Sequence, residues 1–184
     1  FHIDKYEVTN ARYKACVDAG ACTPPQNFRS RTRTSYYGNA EFDNYPVISV
    51  TWAQAALYCQ WRDVSLPTEA QWEKAARGTD GRKYPWGNEE IDCNKANANG
   101  CEDDSTEVGS YKSGVSPYGL YDMTGNVWEW VADYYSATYY KYSPTSNPLG
   151  PSSGQYRVAR GSSSSFFWGF QTYARGDGEY VTGT

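Results

Sequence analysis

Histidine and methionine each occur once in this 184-residue chain. One histidine is too few for a multi-histidine zinc site. His2, at the start of the chain, has no recognisable partner nearby for a Ser-His-Asp arrangement. A basic surplus is also missing: 17 Lys and Arg face 21 Asp and Glu, a formal net charge of -4. Without excess cations to neutralise phosphates, nucleic acid is excluded as the main partner. No stretch of 18 apolar residues is present, so no segment reads as a membrane-spanning helix. No initiator methionine or signal peptide precedes Phe1, as expected of a mature or trimmed product.

Aromatic residues are abundant instead: 17% of the chain, with Tyr 18, Trp 7 and Phe 6, beside Gly 17. This composition fits neither a helical bundle nor a disordered chain. It suits an irregular, loop-rich fold. There Tyr and Trp fill space and satisfy loop backbone groups through O–H and N–H. The length suffices to bury a core, and no internal repeat or linker divides it, so residues 1–184 read as one domain.

The five cysteines include two close pairs, Cys16/Cys22 and Cys93/Cys101, with loop-forming Gly, Asn or Asp between the members. Two readings stand. Short loops of this kind are closed by disulfides, or four close cysteines bind zinc; the spacing is not of the C-x-x-C type, which favours disulfides. Disulfides imply an oxidising compartment: periplasm, cell surface or outside. Cys59, between Leu57 and Trp61 in a helical pattern, reads as a buried free thiol.

Along the chain, Ile3 to Val8 alternates enough for a short strand. Thr9 or Asn10 caps a helix to about Asp18, which Gly20 ends. Thr51 caps a second, from Trp52 to about Arg62. The clearest signal is Thr68, an N-cap with Gln71 three residues on completing a capping box. Trp72, Ala75 and Ala76 form the inward face of that helix and Gly78 ends it. Val127 to Tyr135 and Tyr156 to Arg160 read as strands, and the remainder as ordered loop.

Several stretches resemble the formylglycine-generating-enzyme (sulfatase-modifying-factor) family. They are Tyr6-Glu7-Val8-Thr9-Asn10, Pro46-Val47 through Trp52, Leu66-Pro67-Thr68-Glu69 through Gly78, Tyr84-Pro85-Trp86-Gly87, Tyr118 through Trp130, and the Arg-Gly-Ser turn at Arg160. The resemblance implies an α+β, C-type-lectin-like fold. Its parts are two main helices, small twisted antiparallel sheets and extensive ordered loops. It also implies a strand before Phe1 and another after Thr184, whose absence leaves open sheet edges for strand addition.

The catalytic members of that family hold copper with a cysteine pair in the C-terminal segment. Here no cysteine follows Cys101. A soft Cu(I) site needs thiolates, so the resemblance points to a member without catalytic residues. In the same family the Gly-Asn-Val-Trp-Glu-Trp turn wraps a structural calcium ion. Carried over, Asp122 and Glu129 give side-chain oxygens, and Gly125 and Val127 give main-chain carbonyls. Hard oxygen donors on a Gly-containing turn suit calcium without the family; the alternative is that both acids only cap turns. A second site would use Asn97, the Ala98 carbonyl and an acid of the Glu102-Asp103-Asp104 run, taken as Asp103.

Residues 162–182 combine serines with aromatics: Ser163, Ser165, Phe166, Phe167, Trp168, Phe170 and Tyr173, with Tyr180 further on. Ser, Gly and aromatics also make up antibody paratopes. Variable proteins of diversity-generating retroelements share the fold and vary this segment. The segment is therefore expected to bind a protein or glycan ligand; the alternative is core and loop packing. The leading expectation is a non-catalytic, calcium-stabilised, extracytoplasmic binding or structural domain. Its competitors are a degenerate copper- or iron-dependent oxidase and a subunit of an extracellular polymer assembling through open sheet edges.

Overall fold

Three helices begin where the chain supplies a side-chain cap. The computed structural model describes residues 1–98 and 100–178. In α1 (Asn10–Asp18) the extended Thr9 accepts from the Arg12 N–H. In α2 (Trp52–Trp61) and α3 (Glu69–Arg77), Thr51 with Gln54 and Thr68 with Gln71 form reciprocal capping boxes. Each box satisfies two N–H groups that a helix start otherwise leaves without partners. Gly78 ends α3 at φ 70°, a conformation that favours glycine.

The sheet is small and antiparallel, in the order β1 (Glu129–Tyr134), β2 (Arg157–Arg160), β3 (Gly176–Asp177). Glu129 lies opposite Arg160 and Trp130 opposite Ala159, and the register shifts before Tyr134 meets Arg157. Val131 and Asp133 are the buried side chains of β1. Val131 joins Trp72, Ala75, Ala76, Leu120, Met123 and Val158 in the main core. The inward face expected for α3 is thus the face found. Asp133 accepts from the Glu69 N–H at 2.7 Å, placing a carboxylate at the positive end of α3.

The three helices and the small antiparallel sheet agree with the α+β expectation, and one local expectation fails. Ile3 to Val8 is not a strand. Its backbone groups bond singly to separate loops, Lys5 to Tyr121 and Val8 to Val47, before the Thr9–Pro46 bridge, so no ladder forms.

Disulfides join Cys16 to Cys22 and Cys93 to Cys101, with Cα separations of 5.3 and 5.4 Å. Cys59 is unbonded but half-buried rather than fully buried, and burial raises its thiol pKa. Tryptophan serves as mortar between loops and sheet. The Trp52 indole donates to the Val131 carbonyl at 2.8 Å and that of Trp130 to the Val50 carbonyl at 3.0 Å. Among the described residues no helix is long and apolar enough to cross a membrane.

Candidate functional site

The turn from Asp122 to Glu129 is bent by three residues in the left-handed region: Asp122 (φ 56°), Gly125 (φ 82°) and Asn126 (φ 60°). Gly125 is required for a second reason. A Cβ there would stand 2.3 Å from the Asn97 carbonyl oxygen. The turn is held from three directions. Asn126 N–H donates to the Asn97 carbonyl at 2.9 Å, Gly125 N–H to the Gly161 carbonyl at 2.8 Å, and Ser164 N–H to the Asn126 carbonyl at 3.1 Å.

Three carboxyl groups meet this turn. Asp122 is buried and accepts from the Gly109 N–H at 2.6 Å. Glu129 accepts from the Trp72 indole at 2.9 Å. Glu7, from the N-terminal stretch, accepts from the Asn126 side-chain amide at 2.7 Å and the Val127 N–H at 3.3 Å. None of the three forms an ion pair with a described Lys or Arg. Burial therefore dominates their titration. It pushes Asp122 up to about 6 and Glu129 up to about 7. Glu7 is raised well above the usual carboxylate range by burial first, then by the charges of Asp122 and Glu129.

The donor set fits a hard cation. Two carboxylates stand on one turn, and the Gly125 and Val127 carbonyls accept no hydrogen bond from a described residue. No three His, Cys, Asp or Glu converge into a metal cage among the described residues, so main-chain oxygens would have to supply the rest. The second set is less assembled. Asn97 is buried, and its Oδ1 has no hydrogen-bond partner. The Ala98 carbonyl accepts from the Cys101 N–H. Asp103 is exposed. The buried neighbour Asp104 spends its carboxylate on Ser30, Thr32 and Ser105, 3.3 Å from Arg33.

The Ser/aromatic segment divides into a base and a rim. Ser162, Ser163 and Ser164 are buried, and Phe170 inserts against Tyr84, Ala96 and Ala98. Ser163 and Phe170, expected at a ligand surface, therefore sit buried in the base. Ser165 and Phe166 are half-buried, and Phe166 meets Trp128 edge-on. Phe167, Trp168 and Tyr173 are the exposed members, at 77%, 50% and 51%. Tyr180, with the rest of 179–182, lies outside the described residues.

A cavity of about 520 Å³ opens between the N-terminal stretch and α2. Val8, Val47, Leu66 and Trp130 contribute apolar wall, and Glu7 and Glu129 contribute carboxyls. Sequence reasoning missed Glu7 as part of this site. Its signal was an acid inside the apolar Tyr6-Glu7-Val8 stretch, read only as part of a family motif.

Residues 1–180 match the sulfatase-modifying factor enzyme 1-like domain model. The chain belongs to that family. It is similar to the formylglycine-generating enzyme of Streptomyces coelicolor, at 36% identity over 210 residues covering 89% of this chain and 67% of the enzyme. It is also similar to the inactive C-alpha-formylglycine-generating enzyme 2 of Bos taurus, at 45% identity over 106 residues, 50% of this chain and 34% of that protein. Among solved structures, the Treponema denticola variable protein 1 shares the fold with a TM-score of 0.69, at 24% identity, covering 93% of this chain and 76% of that one. The family thus includes enzymes and inactive homologues. The chain spans about two thirds of the length of the bacterial enzyme and a third of the bovine protein.

Proposed function

We propose that residues 1–184 form one non-catalytic, extracytoplasmic binding domain. In this reading, calcium at the Asp122–Glu129 turn steadies a ligand surface made by Ser165, Phe166, Phe167, Trp168 and Tyr173. The observation that carries it is the pair of bonds from the turn to the start of that segment. Gly125 holds the Gly161 carbonyl, and Asn126 receives the Ser164 N–H. A cation on the turn would thereby brace the buried serines from which the exposed aromatics project. Asp122 and Glu129 would hold it, with the Gly125 and Val127 carbonyls; when bound it neutralises charge and fixes the loop. The chain has no cysteine after Cys101, which leaves no thiolate pair in the C-terminal segment for copper. Both disulfides fit an oxidising compartment.

Screening the chain, with and without calcium, against arrayed glycans and displayed peptides tests this reading. Selective capture that is weakened by EGTA and by Phe167→Ala with Trp168→Ala supports it. Oxygen consumption on a thiol substrate with added copper would overturn the non-catalytic assignment. The apolar cavity favours a second reading, a subunit of a surface polymer that receives an extended segment of another chain there. Concentration-dependent growth in size-exclusion chromatography checks it.

A further inference from the structure

Three arginines stand at alternate positions of one turn, Arg29, Arg31 and Arg33, and the fold treats them differently. The turn is tied at several points. The Ser30 N–H donates to the Arg33 carbonyl at 3.0 Å, and the Tyr36 and Tyr37 N–H groups donate to the Phe28 carbonyl at 2.9 and 3.2 Å. Buried Asp104 accepts from the Ser30 hydroxyl at 2.5 Å and from the Thr32 N–H and hydroxyl at 2.9 and 2.8 Å. Arg33 is answered within the fold. Its Nη1 lies 3.3 Å from Asp104, its Nη2 donates to the Ser105 carbonyl at 3.1 Å, and the Phe42 and Tyr45 rings lie 4.8 and 5.0 Å from its guanidinium.

Arg29 and Arg31 are exposed, and neither side chain has a carboxylate, carbonyl or ring partner among the described residues. Arg62, Arg77, Arg82, Arg157, Arg160 and Arg175 each have one. Exposed Glu102 and Asp103 adjoin Asp104 in the chain, yet form an ion pair with neither arginine. In a chain of net charge -4, two guanidiniums thus stand together unneutralised on a braced turn. Next to Arg29 in the chain, Phe28 is 52% exposed, with its ring 5.4 Å from that of Tyr37.

Guanidinium forks match sulfate and carboxylate groups bidentately, and a turn that is already ordered gives up little entropy on binding. The turn offers a poor seat for a peptide main chain, because its N–H groups at Ser30, Thr32, Tyr36 and Tyr37 are already bonded. What stays free is side-chain charge and an apolar ring face. We propose that the Arg29–Arg31 turn binds an acidic polysaccharide carrying sulfate or carboxylate groups, at a site separate from the Phe167–Trp168 rim. The charged groups meet the two arginines, and the sugar's C–H face lies against Phe28.

Fluorescence anisotropy of labelled dextran sulfate and labelled polygalacturonate, titrated with the chain at low salt, tests this. Neutral dextran and poly-glutamate serve as controls. At least one acidic polysaccharide is expected to bind, and which one tells sulfate from carboxylate. Added salt weakens the binding, and neutral dextran does not bind. Arg29→Ser with Arg31→Ser is expected to weaken binding about 10-fold or more with no change in melting temperature. Replacing both by Lys keeps the charge but loses the forks, and falls between. Phe167→Ala with Trp168→Ala leaves the binding unchanged. Failure of both acidic polysaccharides to bind overturns the proposal. So does tighter binding of poly-glutamate, which would make the turn a docking site for an acidic protein. An equal loss in Arg12→Ser, an exposed arginine of α1, also overturns it, since the attraction would then be a diffuse effect of charge.

Discussion

Two buried clusters of charge follow opposite rules. Around Glu69, every charge is answered. Its carboxylate takes Arg160 Nη1 at 2.7 Å, Arg175 Nε at 2.6 Å and Nη2 at 2.8 Å, and the Tyr140 hydroxyl at 3.2 Å. Arg160, fully buried, reaches on to Glu73 at 2.9 Å and to the Thr172 carbonyl. Around the Asp122–Glu129 turn, three carboxyls share no described Lys or Arg. Desolvating a charge is costly in both places. The first cluster offsets the cost within the chain. The second offsets it only by taking up protons or a cation. On the reading proposed above, the second cluster is where an external positive charge would be taken up.

The largest expected effect comes from breaking the compensated cluster. Arg160→Ala removes the fully buried cation that joins Glu69 to Glu73, leaving only Arg175 on the one and Arg77 on the other, and is expected to destabilise the chain by about 3–5 kcal/mol, measured by chemical denaturation. A loss under 1 kcal/mol would mean that the network is solvent-screened and that the contrast is false.

The uncompensated cluster predicts a pH dependence of definite sign. In EGTA the folded chain favours protonated Glu7, Asp122 and Glu129, because burial raises their pKa values. Stability is then fully present below the ordinary carboxylate range. It falls as the pH rises towards about 7, where Glu129 ionises in the fold. Asp122, raised to about 6, accounts for a loss on the order of 3 kcal/mol. Saturating calcium is expected to remove or reverse the slope, since it binds the ionised form. Thermal unfolding from pH 4 to 8, with and without calcium, measures this; equal slopes in both would refute the contrast.

Away from both clusters, the Cys93–Cys101 link closes a short loop just before the buried Asp104. Replacing both cysteines by Ser is expected to cost about 2–3 kcal/mol in the chain-entropy estimate. It should leave the pH slope in EGTA unchanged.

Local features were legible in the sequence and distant ones were not. Thr9, Thr51 and Thr68 cap helices through bonds spanning about one turn, so composition and spacing were enough to place them. The two disulfides were equally local, with sequence separations of six and eight. Asp122 and Glu129 could be named as candidate ligands because the family resemblance covers the turn they share, and two carboxylates on a Gly-containing turn suit a hard cation. Glu7 could not, because its bonds to Asn126 and Val127 cross most of the chain. The Ile3–Val8 stretch alternates like a strand, but pairing depends on a neighbour that no local pattern reveals. Burial of Ser163 and Phe170 was hidden for the same reason, since the partners of Phe170 come from residues 84–98.

The smallest effect on stability belongs to the exposed rim. Phe167 and Trp168 are 77% and 50% exposed, so truncating them removes little buried area. Trp168 does contact Trp128 and Phe166, with ring centroids 6.3 and 5.5 Å apart, so its truncation should cost more than that of Phe167. Phe167→Ala is expected to stay within about 0.5 kcal/mol of wild type, and Trp168→Ala to fall about 1 kcal/mol below it. If these rings are a ligand surface, the two variants lose binding out of proportion to stability. If they are packing, loss of binding and loss of stability rise together, and Phe167→Ala loses neither. Measuring both quantities on both variants separates a rim that the fold merely carries from one that it presents.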